Sequence, residues 1–244
     1  MTHQKYPLRI SRASSAAPVF RAYRQRRHPR LLRGNESPPS VDLRPLFPPV
    51  PSGGDVPCDT AAALVAMLQY EDPQWTGSRL FLYYNERVVE GCEREDLGRW
   101  LADGVEALVR HGACPEASWP FRADQVDVQP PNACYAEADG LKQRMGDAVY
   151  SLPNDMASMK RCLAAGWPFL VGVAVYPSWE RVGRGGTIGW PTGDALGGTA
   201  MVCLGYDDRL GVWRMRGRRG EVTLPYRYLL DSSLSTELWV VTGV

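Results

Sequence analysis

The sequence is poor in histidine, in clustered cysteine and in long apolar runs, and each shortage removes a class of function. Only three histidines occur in 244 residues, His3, His28 and His111. A histidine-built metal site and imidazole base catalysis therefore have little material. The six cysteines, Cys58, Cys92, Cys114, Cys134, Cys162 and Cys203, contain no CxxC pair and are too sparse for a disulfide-stapled scaffold. They are expected as buried free thiols in a reducing cytoplasm; Cys114 and Cys134 flank one loop and are the candidate pair for a disulfide. No apolar run reaches the roughly 18 residues of a transmembrane helix, and no apolar signal-peptide core follows the start. No metal and no cofactor is expected.

Acidic residues are absent before Glu36, while nine basic residues precede it, Lys5, Arg9, Arg12, Arg21, Arg24, Arg26, Arg27, Arg30 and Arg33. Removing these nine leaves 19 basic against 27 acidic residues, so a net charge of +1 conceals a basic arm (1–36) on a body of about −8. Such an arm can bind nucleic acid or an anionic membrane, resemble an organelle transit peptide, or fold back on its own body. Self-docking is the favoured expectation. The chain as a whole is 44% hydrophobic, enough for a sizeable core.

Residues 34–57 are rich in Pro and Gly and read as an extended, looping approach. TAAALVAMLQYE follows Asp59, and its Ala, Leu and Met content reads as a buried helix with Asp59 as N-cap. A second helix is expected from about Ser78, its cap, through RLFLYYNERVVE. A third is expected from about Gly98 to His111, with Leu101, Val105, Leu108 and Val109 at helical spacing and Gly112 as its stop. After a turn-rich stretch, Asn154 is expected to cap a helix ending at Gly166. Then come short β-type runs, 168–176, 199–207, 211–216 and 237–243. Helices first and strands second imply an α+β fold with two lobes.

Five segments in this order resemble the papain-like (C1) cysteine peptidases, prokaryotic type: PPSVDLRP with its Pro-rich loop, SRLFLYYNERVVEG, DGVEALVRHGACPEASWPF, LGGTAMVCLGYDD and LPYRYLLD. The resemblance implies a papain-like domain over 37–244, with a helical lobe at about 37–145 and a β-barrel-like lobe at about 146–244. In that family a loop glutamine serves the oxyanion hole, a helix N-terminal cysteine is the nucleophile, a strand histidine is the base and an NSWG turn supplies an asparagine. The matching positions here are Gly53 for the glutamine, Asp59 for the cysteine and Thr199 for the histidine. RMRGRRG (214–220) replaces the NSWG turn, putting Met215 or Arg216 at the asparagine. All four functional positions are substituted.

Peptidase chemistry is therefore not expected. Cys58 is one residue from the nucleophile position but has no base, and His111 reads as a helix C-terminal residue favoured by the dipole. The implied function is an inactive pseudopeptidase that binds through the former substrate cleft. Its candidate cleft residues are Cys58, Asp59, Trp190, Thr199, Arg214 and Arg216, with Arg218 and Arg219 extending a basic rim. Candidate partners are a peptide, an acidic protein segment or a small anionic ligand, and the oligomeric state stays open. The alternative is a repurposed enzyme of a biosynthetic or modification pathway, performing acyl transfer, cyclisation or proton abstraction with Asp59 or Cys58. A closed apolar cavity around Asp59 would favour the enzyme, and an open groove or a filled cleft the binding protein.

Overall fold

A computed structural model describes residues 6, 8, 37–49, 56, 58–91, 100–218 and 220–242. Helices α1 (Asp59–Glu71), α2 (Arg79–Glu90), α3 (Leu101–His111) and α4 (Asn132–Met145) form one layer. The α1 sequence is apolar around most of its circumference, and ten of its thirteen residues are buried, as expected for a helix enclosed on several sides. It lies between α2 and α3 on one side and the sheet on the other.

The sheet is antiparallel and contains β1 (Ser40–Asp42), β2 (Val149–Ser151), β3 (Phe169–Val175), β4 (Gly197–Asp207), β5 (Val212–Gly217), β6 (Gly220–Pro225) and β7 (Ser235–Val241). Its path runs β2-β7-β3-β4-β5-β6. Strand β4 is the organiser. One edge takes β3 along Gly197 to Cys203 and then β1 along Gly205 to Asp207, while the other takes β5. β3 is buried at all seven positions and β4 at its nine inner ones. These runs are continuous rather than alternating, as in strands covered on both faces. Helix α5 (Met156–Ala164) also packs on β4, and a short α6 (Tyr226–Leu230) connects β6 towards β7. The α+β, two-lobed, papain-like reading is correct, with one refinement. β1 precedes all the helices yet belongs to the sheet.

Several boundaries fall as the sequence indicates. Ser78 caps α2, its hydroxyl oxygen accepting from the Phe81 N–H at 3.0 Å and its O–H donating to the Trp119 carbonyl at 2.6 Å. Gly112 ends α3. Two differ. Asp155, not Asn154, caps α5, because its carboxylate reaches the Ser158 N–H at 2.8 Å. Asp59 is the first residue of α1 rather than its N-cap; Cys58 holds that place and no side chain caps the helix. Helix α4 has no counterpart in the sequence reading.

Cys114 and Cys134 are free thiols in a small cluster with Phe81 and Ala138, the Cys134 thiol donating to the Ser118 carbonyl at 3.7 Å, so no disulfide joins them. Because Ser78 both caps α2 and ties the 115–121 loop to it, Ser78→Ala is expected to cost about 1–2 kcal/mol. Urea denaturation would measure this, and an unchanged midpoint would contradict it.

Candidate functional site

The N-terminus of α1, the start of β4 and the turn after β5 converge on one carboxylate. Asp59 is 5% exposed and Thr199 9%. The Thr199 hydroxyl donates to Asp59 Oδ2 at 2.6 Å. Arg218 Nε stands 2.7 Å from Asp59 Oδ1, an ion pair by distance, and Arg218 Nη1 donates to the Val56 carbonyl at 3.3 Å. Thr199 reaches Asp59 because the antiparallel register sets it opposite Val173, at the end of β4 nearest the first turn of α1. The helix N-terminus also favours negative charge at this point. Each carboxylate oxygen thus has a close partner, Oδ2 the Thr199 hydroxyl and Oδ1 the Arg218 guanidinium.

Cys58 lies one residue away with a very different environment. It is fully buried in the core, contrary to its assignment to the cleft. Burial pushes its thiol up to about 12, and the neighbouring Asp59 charge adds to the effect. In a nucleophilic cysteine these influences are reversed, since positive neighbours and partial exposure favour the thiolate.

The basic turn is also spent internally. Arg214 is paired with Asp207 at 2.9 Å, away from Asp59, so it is not a cleft residue. Arg216 is buried over the Phe47 ring and donates to the Pro48 carbonyl. Arg218, which the sequence reading placed only on the rim, is the residue that reaches the central carboxylate. Arg218 follows Gly217, the last residue of β5, so no strand periodicity singled it out from the neighbouring arginines. Trp190 packs on Tyr228 and under Arg227, whose guanidinium is 3.9 Å from its ring centre. It stands one ring removed from Trp179, the indole that does line the space beside Thr199. Gly53 and Arg219 lie outside the described residues.

Two cavities flank Asp59. One of about 40 Å³ lies between α1 and β4 and β5, beside Ala62, Ala66, Gln69, Arg79 and Val202. The other, of about 100 Å³, is lined by Trp179, Glu180, Ile188, Thr199, Met201 and Tyr6. Both are small beside the roughly 300 Å³ or more of a typical ligand pocket. Of the two described residues of the basic arm, Tyr6 lines the second cavity and Leu8 lies beside it against Gly172. The Leu8 N–H donates to the Gly198 carbonyl at 3.0 Å, next to Thr199, and the Tyr6 hydroxyl donates to Glu180. Gly197 makes this approach possible. Its φ is +133°, and a Cβ there would stand 2.2 Å from the Tyr6 carbonyl oxygen. The expected self-docking is present at these two residues; the rest of the arm lies outside the described residues.

His111 sits on α3, edge-on to Tyr135, remote from this site by sequence element and contacts. Burial, with Lys142 and Arg110 nearby, lowers its pKa. These influences outweigh the helix C-terminus that was expected to favour its charged form. Among the described residues no group of three or more His, Cys, Asp or Glu side chains could hold a metal ion, and no helix is long and apolar enough to cross a membrane.

The layout, a helix N-terminus facing a buried strand across a cleft between a helical layer and an antiparallel sheet, is that of the papain-like fold. Comparison with known proteins agrees. The chain is 29% identical to xylellain, a cysteine protease from Xylella fastidiosa, with a TM-score of 0.82 over 100% of this chain and 97% of that one. A procathepsin B from Trypanosoma congolense, 16% identical over 98% of this chain and 86% of its own, shares the fold with a TM-score of 0.69. An uncharacterized peptidase C1-like protein of Acanthamoeba polyphaga mimivirus is 26% identical over 200 residues, which is 75% of this chain. The chain spans 64% of that relative's length. No protein-family model matches. The chain is thus a homologue of papain-like C1 cysteine peptidases.

Iodoacetamide at pH 8 is expected to leave Cys58 unmodified in the folded protein, since a thiol with a pKa of about 12 holds only about one part in ten thousand as thiolate. Peptide mapping would show a failure. The same group sets a pH dependence. The unfolded chain releases this proton near the ordinary 9.0, whereas the fold retains it to about 12, so its contribution is complete below 9 and falls as pH rises between these values. Asp59→Ala leaves Arg218 and Thr199 facing an emptied site and is expected to cost about 2 kcal/mol or more. Adding Arg218→Ala should cost less than the sum of the single changes, and strict additivity in a double-mutant cycle would refute the coupling.

Proposed function

We propose that the protein is a papain-like pseudopeptidase, a binding protein that keeps the peptide-holding edge of the cleft without the peptidase chemistry. The observation that supports this reading is the Asp59 carboxylate, held by Thr199 and Arg218 at the positions that the family resemblance matches to the nucleophile and its base. The adjacent thiol, Cys58, is protonated and closed to solvent. A substrate carbonyl arriving here would meet neither a nucleophile nor a group able to remove a proton.

The arm supports the binding half of the reading. The Leu8 N–H donates to the Gly198 carbonyl and the Tyr6 hydroxyl to Glu180, so the start of β4 accepts an extended segment as an edge strand accepts a ligand peptide. A peptide or protein segment that displaces Tyr6 and Leu8 is the natural partner. The small size of the cavities beside Asp59, with the cleft filled by the chain itself, favours binding over a repurposed enzyme. The five described cysteines, all buried as free thiols, suit work in a reducing compartment such as the cytoplasm.

The test uses the full chain with Leu8→Glu, which undocks the arm from a buried site. A fluorescein-labelled peptide copying residues 4–10 is expected to bind this variant at least ~10-fold more tightly than the unaltered protein, where the tethered copy competes. Fluorescence polarisation reads the difference. Equal, unsaturable signals from both proteins would remove the binding reading. Labelling of Cys58 by an epoxide or vinyl-sulfone probe would remove the inactive one.

A further inference from the structure

An arginine inside a protein ordinarily has a carboxylate beside it, because a desolvated charge without a counter-charge opposes folding. Along β5 and the turn after it, Arg214 has Asp207 and Arg218 has Asp59. Arg216, between them, is 6% exposed and has no carboxylate within ion-pair distance among the described residues. The Pro48 carbonyl and the Phe47 ring hold its plane but do not neutralise it. Burial lowers its pKa; Glu221 opposes that effect and Arg184 adds to it.

Arg184 is exposed and likewise has no ion-pair partner among the described residues. Its position is nevertheless fixed. The loop that carries it is stitched to β6, with the Gly185 N–H donating to the Glu221 carbonyl at 2.7 Å and the Thr223 N–H to the Gly186 carbonyl at 3.0 Å. Gly220, at φ +109°, lets the side chain lie across the backbone, since a Cβ there would stand 2.7 Å from Arg184 Nε. Arg184 and Arg216 open onto one basin of about 520 Å³, with Phe47, Pro48 and Pro49 as an apolar wall and Arg44 and Glu221 at its margin. Arg44 is committed to Asp42 at 2.5 Å and stands 3.7 Å from Glu221. The uncommitted charge is therefore that of Arg184 and Arg216.

We infer that this basin binds a small organic oxyanion, a carboxylate or phosphate monoester with an apolar ring, the oxyanion lying between Arg184 and Arg216 and the ring against Phe47, Pro48 and Pro49. Guanidinium groups suit either oxyanion by geometry as well as charge, and the volume fits a ligand of this size. Asp59 and Thr199 do not line the basin, so the site goes beyond the peptide-binding reading and does not require an emptied cleft.

Calorimetric titration of the full chain with phenyl phosphate, benzoate and inorganic phosphate tests the assignment. Saturable binding of phenyl phosphate or benzoate is expected, weakening as salt is raised; whichever binds more tightly identifies the oxyanion, and either supports the site. Arg184→Glu is expected to weaken binding about tenfold or more, Arg184→Lys to be intermediate, and Arg144→Glu, on α4, to leave it unchanged. Circular dichroism verifies that each variant is folded. No saturable binding, affinity indifferent to Arg184→Glu, or inorganic phosphate binding as tightly as phenyl phosphate would overturn the proposal. Peptide uptake is read separately on the Leu8→Glu protein, so the two proposals fail independently.

Discussion

The buried carboxylate of Asp59 fixes how three separate parts of the chain meet. A charge this deep must be matched closely, and the match comes from a strand hydroxyl and from a guanidinium on the turn after β5. The N-terminus of α1, the start of β4 and residue 218 are consequently held to one geometry. The guanidinium reaches on to the Val56 carbonyl, which also anchors the loop leading into α1. The charge further determines its neighbour's chemistry, because the Cys58 thiol is held protonated by burial and then by the anion beside it. One interaction thus assembles the site and silences the thiol next to it.

The fold was legible where residue pattern and punctuation agree. Ser78 followed by an amphipathic run marked α2, and Gly112 marked the end of α3. The β-branched runs of β3 and β4 stood out from their Gly-rich surroundings. Helix α4 was not legible. Its buried positions, Cys134, Ala138, Leu141 and Met145, do repeat at helical spacing. They include a cysteine and an alanine, however, and Pro130, Pro131 and Gly140 made the segment read as turn. Strand β1 was hidden for a different reason. Its three residues pair with β4 across more than 160 positions of sequence, which no local pattern records.

The site was legible in position more than in partnership. Asp59 and Thr199 are neighbours, as their places in the family pattern implied. The N-cap reading of Asp59 failed because a stronger partner, Arg218, draws the side chain across the cleft rather than back to its own helix amides. Propensity at a helix end describes what a side chain does without competition, and here tertiary contacts competed. The arginines of the turn read as one basic patch. In the folded chain they do unlike things: one staples the far end of β4, one lies against Phe47 and one reaches Asp59.

The Asp59 and Arg218 pair also constrains which neighbouring sequences are accessible. Placing a thiol at position 59 alone would strand the Arg218 guanidinium in a largely enclosed space. An imidazole at 199 alone would crowd a position that is 9% exposed, in a space that Tyr6 also lines. Each single step towards a thiol and imidazole lowers stability before it offers any chemistry. A viable route must change positions 59, 199 and 218 together and loosen the arm as well. The site therefore behaves as an interlock: sequence drift can remodel what surrounds it, but cannot rebuild it one residue at a time.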